Sequence, residues 1–145
     1  MKRGFKKQDR KRDAGGFLAL PFSVIDSQAY LGLSPSAVKL LFDIAGQYRG
    51  YNNGKLYAAW VLMSKRGWQS QTTLTKAKNE LLASQLLFET RKGARPNKAA
   101  WYAITWMALD HQIGMDVAGS AFQKGAYWHL KITSPTPETG AVSSS

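Results

Sequence analysis

Residues 59–98 read AWVLMSKRGWQSQTTLTKAKNELLASQLLFETRKGARPNK, and the spacing inside them decides the fold. A helix is predicted from about Ala59 to Arg66. Gly67 closes it, because glycine takes the left-handed backbone of a helix exit without a Cβ clash. Trp68 and Gln69 fill a tight turn. Ser70 then offers its hydroxyl to the unpaired N–H groups of a further helix. That helix runs to about Ala83, with Leu74, Ala77 and Leu81 turned inward. Beyond it, Leu86–Arg91 and Ala100–Trp106 read as strands, with Leu87, Glu89 and Arg91 on one face and Leu86 and Phe88 on the other. The stretch Lys92-Gly93-Ala94-Arg95-Pro96-Asn97-Lys98 between them is a hairpin tip rich in cations.

Upstream, LSPSAVKLLFDIAGQYRG (33–50) is the strongest helix signal in the chain. Ser34 is a good N-cap, and Pro35 stands at the first helical position, where a missing N–H costs nothing. Ala37, Leu40, Leu41, Ile44, Ala45 and Tyr48 form an apolar stripe at helical spacing. Gly50 and then Tyr51-Asn52-Asn53-Gly54 are expected to end the helix and turn the chain into a short strand, Lys55 to Ala58. Earlier still, FLALPFSVI (17–25) holds Pro21, which makes it a poor central strand and better suited to an irregular or edge segment. Asp26 or Ser27 is placed to cap a short helix containing Ala29 and Tyr30.

The chain has 145 residues, enough for one domain with tails. Twenty Lys and Arg against nine Asp and Glu give a net charge of +11, which points to a polyanionic partner. The excess is confined to two places. Residues 1–16 carry seven basic and two acidic side chains, a net of +5, and residues 65–98 carry eight and two, a net of +6. Everything else is neutral. With few apolar residues to bury, 1–16 reads as a disordered basic arm suited to lie along phosphates. Residues 17–110 form the domain, 111–132 an extension with apolar residues able to dock on it, and 133–145 a disordered tail. The absence of cysteine fits a reducing cytoplasm. No apolar run suits a bilayer and no secretory signal is read, so the expected location is cytoplasmic, associated with the nucleoid, and away from membranes.

The helix–turn–capped helix unit around Gly67 and Ser70 is a helix-turn-helix. Its second helix leaves Gln71, Thr72, Thr75, Lys76 and Asn79 on the outer face. Gln and Asn can pair bidentately with adenine, Thr can meet a thymine methyl or a phosphate, and Lys can reach guanine or phosphate. Ser70 and the helix N-terminus suit a phosphate. The run SQTTLTKAKNELLASQLL from Ser70 resembles the recognition segment of winged helix-turn-helix proteins. Ser70, Thr73, Leu74, Ala77, Leu81 and Leu86 fall on that family's pattern. Gln85 departs from it, standing where the family usually has Gly, and suggests a slightly different helix exit. Lys78 departs too, replacing an apolar residue, and is expected to be half-exposed.

More narrowly, ALPFSVI, LSPSAVKLLFDIAGQYRGYNNGKL, RGWQSQTTL and ETRKGARPNKAAWYAITWMALD are similar to small bacterial helix-turn-helix proteins of phages and mobile elements, some of them compared with replication initiators. The resemblance implies a mainly α fold with a small β-hairpin, a three-helix core plus a wing. It makes Arg91, Lys92, Arg95 and Lys98 wing contacts, with Arg95 the candidate for the minor groove. The implied partner is double-stranded DNA and the implied role regulation of a mobile element's transcription. Replication initiation or partition is the alternative, and an RNA-binding or protein-interaction module the more distant one. No phosphate-binding loop, nucleophile elbow or ligand-spaced His or acid cluster is present, so no enzyme, metal or cofactor is expected. Trp60 and Trp106 read as core, Trp68 as packing under the recognition helix, and Trp101 as open to either face. A homodimer is possible through the N-terminal segment or residues 111–132.

Overall fold

The computed structural model describes residues 11–129. Most of the arm expected over 1–16, and the tail expected over 133–145, lie outside the described residues.

Two single turns of helix, α1 (Phe22–Ile25) and α2 (Gln28–Leu31), open the chain. The segment read as irregular or edge strand is therefore helical at its end. Pro21 stands just before α1 as its N-cap residue, where its missing N–H breaks no helical bond, and Ser27 caps α2, its side chain accepting from the Tyr30 N–H. The long helix α3 (Pro35–Ala45) starts where the sequence places it, with the Ser34 hydroxyl accepting from Ala37 N–H at 3.2 Å. Ala37, Leu40, Leu41, Ile44 and Ala45 are buried along one side. Each large aliphatic buried this way contributes about 1.5–3 kcal/mol.

α3 stops at Gly46, four residues before Gly50. The Gln47 side chain explains the early stop. Its amide donates to the Tyr57 carbonyl at 2.7 Å and accepts from the Tyr57 N–H at 2.9 Å, pairing with the returning chain as a strand neighbour would. Lys55–Ala58 accordingly makes no full strand. It contributes one antiparallel bridge, Leu56 to Tyr102, made in both directions. Asn53, expected only as a turn residue, is fully buried. Its amide donates to the carbonyls of Ile104, Met107 and Ala108, while its oxygen accepts from Ile104 N–H.

α4 (Trp60–Met63) continues as a 3-10 turn, Ser64–Arg66, and Gly67 closes it with φ +92°. α5 (Gln71–Ala83) begins at the Ser70 cap and buries Leu74, Ala77 and Leu81 against α3. Its Glu80 carboxylate reaches back to the start of α3, accepting from Ser34 N–H at 2.9 Å and from the Ser34 hydroxyl at 2.7 Å. One carboxylate from α5 thus satisfies an orphan donor beside the α3 cap and fastens the two helices together. At the helix exit Gln85 itself adopts φ +62°, the left-handed conformation that glycine serves.

β1 (Leu87–Arg91) pairs antiparallel with β2 (Trp101–Ile104), Leu87 opposite Ile104 and Arg91 opposite Trp101. The simple alternation predicted for β1 fails. Leu86 and Leu87 are both buried, and a bulge between Glu89 and Arg91 turns Thr90 inward, where its hydroxyl donates to the Gly54 carbonyl at 2.5 Å. Residues 110–129 then run back over the domain. Asp116 N–H donates to the Thr90 carbonyl, Gly125 N–H to the Thr105 carbonyl, and the Phe122 ring meets Phe88 edge-on at 5.5 Å. Trp106 is buried and donates to the Ala19 carbonyl, whereas Trp60 is only half-buried on the core surface. The architecture is mixed, helices with one small two-stranded sheet, and its order is compatible with a winged helix. No helix among the described residues is long and apolar enough to cross a membrane.

Candidate nucleic-acid interface

The turn before α5 is held by Asp43, a carboxylate on the buried side of α3 that its apolar neighbours Leu41 and Ile44 disguise in the sequence. Its oxygens accept from Lys39 Nζ at 2.8 Å, Arg66 Nε at 3.0 Å and Trp68 Nε1 at 2.8 Å. Burial alone would raise the Asp43 pKa. The three hydrogen bonds outweigh it, so the carboxyl titrates below its ordinary value. Arg66 and Trp68 flank Gly67, so one charge on α3 sets the turn from which α5 departs. Trp68 lies in this turn with its ring buried and the Lys39 ammonium 5.3 Å from the ring centre.

From that anchored turn α5 presents Gln71, Thr72, Thr75, Lys76 and Asn79, all exposed. Ser70 is half-buried, its hydroxyl engaged by Thr73 N–H at 3.2 Å. Lys78 is half-buried at the edge of the helix face. Side chains at 72, 75, 76 and 79 share one face by helical spacing, and they offer both donors and acceptors.

The hairpin tip divides its four cations. Ala94 and Lys98 bridge each other's backbone at 2.8 Å in both directions, leaving Arg95, Pro96 and Asn97 as the turn. Arg95 and Lys92 are exposed, with no acidic partner among the described residues. Arg91 is half-buried: its guanidinium donates twice to the Ala99 carbonyl and stacks 3.7 Å from the Trp101 ring centre. That packing makes Arg91 part of the hairpin's own frame. Lys98 lies 3.8 Å from the Asp116 carboxylate, whose other oxygen accepts from Lys92 N–H at 2.7 Å.

Trp101, left open by its sequence position, is buried, with Lys55 on the ring as well at 5.0 Å. Its Nε1 has no hydrogen-bond partner among the described residues, so the ring acts through its faces. Next to it on β2, the Tyr102 hydroxyl is pushed well above its ordinary pKa by burial, with the Glu89 carboxylate adding to the effect.

The two groups of candidate residues thus stand on adjoining elements, since α5 packs on β1. Sequence reasoning missed Asp43, Asp116, Lys55 and Asn53. Asp43 left a readable trace, an acid inside an apolar stripe four residues after a lysine. The other three act on partners 18 to 55 residues away, for which the chain carries no local sign. No group of three or more His, Cys, Asp or Glu able to hold a metal ion occurs among the described residues. No family model matches the chain, and no curated protein or solved structure matches it.

Proposed function

We propose that this chain is a winged helix-turn-helix protein that binds double-stranded DNA by sequence, working by recognition and not by catalysis. The observation that carries the reading is the outer face of α5, five exposed polar side chains on a helix whose start is capped by Ser70 and whose approach is fixed by the Asp43 network. In this reading α5 enters the major groove with Gln71 and Asn79 at base edges. Ser70, Thr72, Thr75 and Lys76 meet bases or backbone, and Lys92 and Arg95 grip the neighbouring phosphates or minor groove. The role is regulation of the transcription of a phage or mobile element, in the bacterial cytoplasm.

Selection of bound sequences from random duplex DNA tests this reading. A recurrent site is expected to emerge. Asn79→Ala or Gln71→Ala is expected to weaken binding to that site by roughly 1–3 kcal/mol and to relax the base preference at one position. If no sequence is enriched, or the variants bind specific and random DNA as the parent does, the assignment fails. The genomic position of the site defines its use: overlap with a promoter marks a regulator, iterated copies at an origin a replication or partition factor.

A further inference from the structure

α1, α2 and the closing 3-10 turn, Ala126–His129, pack against one another although they come from opposite ends of the domain. Tyr127 is the pin. It is 5% exposed, and its hydroxyl lies 3.0 Å from the Ser23 hydroxyl. Around this pin the same three elements leave Phe22 83%, Leu31 64%, Trp128 60% and Ile25 36% exposed. Taking roughly 150–250 Å² for a whole aromatic side chain, Phe22 and Trp128 alone expose on the order of 300 Å². With Leu31 and Ile25 the apolar surface reaches the range of roughly 300–600 Å² that marks the largest patch on a typical monomer. That is enough for the core of an interface needing about 800 Å² per partner, with polar surface as its rim.

Charge identifies the partner. No Lys or Arg occurs between Arg12 and Lys39, the stretch that holds α1 and α2, in a chain of net charge +11, and none occurs within 126–129, which Lys124 and Lys131 flank in the sequence. Two copies repel each other wherever their basic segments meet. At α1 and α2 a second copy can approach without that repulsion. Asp26, between α1 and α2, and Lys124, before the closing turn, are opposite in sign and both exposed, so they can pair when this face meets a second copy of itself. α5 and the hairpin tip belong to other elements and are left uncovered.

We infer that α1, α2 and residues 126–129 form the face through which two copies of this chain associate. The inference stands apart from the DNA reading, and its test contains no DNA. Sedimentation equilibrium of the full chain over a wide range of protein concentration is expected to show mass rising from one 16.0 kDa chain towards two. Phe22→Ser combined with Leu31→Ser is expected to require at least tenfold more protein for the same rise, with an unchanged circular-dichroism melt because both side chains are exposed. Since the chain has no cysteine, Trp128→Cys supplies a second measurement: a short bis-maleimide is expected to link two copies through this position. A single 16.0 kDa species at every concentration, association indifferent to the double substitution, or no cross-link overturns the inference. So does a monomer that dimerises only after deletion of residues 133–145, which would make the chain's own C-terminus the occupant.

Discussion

Gln85 follows the last turn of α5 with φ +62°, where an L side chain crowds its own backbone and glycine does not. The position sits between the C-cap Ser84 and buried Leu86, so the chain has no room to relax into another exit. Gln85→Gly removes the strain and gives back part of the gain as added freedom of the unfolded chain. The expected net effect is a stabilisation of about 0.5–1 kcal/mol, read as a higher denaturant midpoint with unchanged slope. Asp43 makes a prediction of opposite sign. Its unfolded pKa is near 3.8 and its folded one lower, so its contribution is complete above about pH 5. As the pH falls below 3.8 the unfolded chain takes up the proton first. The contribution is gone once the folded carboxyl is protonated too. Urea midpoints measured from neutral pH down to acid are expected to fall less steeply in Asp43→Asn than in the parent, and parallel curves would deny the carboxylate this part.

At the scale of elements, what could be read from the chain was what is local. Ser34, Ser70 and Gly67 act within three residues of themselves, and all three do in the structure what their type and position dictate. The stripe through α3 is legible for the same reason. The strand expected over Lys55–Ala58 and the alternation expected in β1 failed because distant groups override both: Gln47 takes one edge of the first, and Gly54 draws Thr90 inward through a bulge. The hairpin tip shows this overriding in the candidate site itself. Its four cations look equivalent in the sequence, yet Arg91 is committed to Ala99 and Trp101, and Lys98 lies beside Asp116. Asp116→Asn keeps an acceptor for the Lys92 N–H while removing the charge. An exposed pair of this kind is worth about 0.2–1 kcal/mol. Affinity for random duplex DNA, measured by fluorescence anisotropy, is therefore expected to rise by up to about fivefold. An unchanged affinity would place Lys98 away from the phosphates.

Among the described residues, α1, α2 and the closing turn carry exposed apolar side chains and no cation, whereas exposed Val61 and Phe42 share their elements with basic residues. The net positive charge of the folded part comes from Lys65 to Lys98, while Phe22, Leu31 and Trp128 lie on elements that carry no Lys or Arg. On the proposed reading the cations are kept for phosphate, and the salt dependence of DNA binding counts them. Each phosphate neutralised on duplex DNA contributes about −0.9 to the slope of log affinity against log salt. Arg95→Ala is expected to reduce that slope by about one. Deleting residues 1–16, with seven cations and two acids, is expected to reduce it by several, by about the same amount for a selected site and for random sequence, because an arm lying along the backbone reads no bases. The titration separates the two basic regions. If the deletion lowers affinity for the selected site alone, the arm reads sequence in a groove. If neither change moves the slope, the charge excess of this chain serves some partner other than duplex DNA.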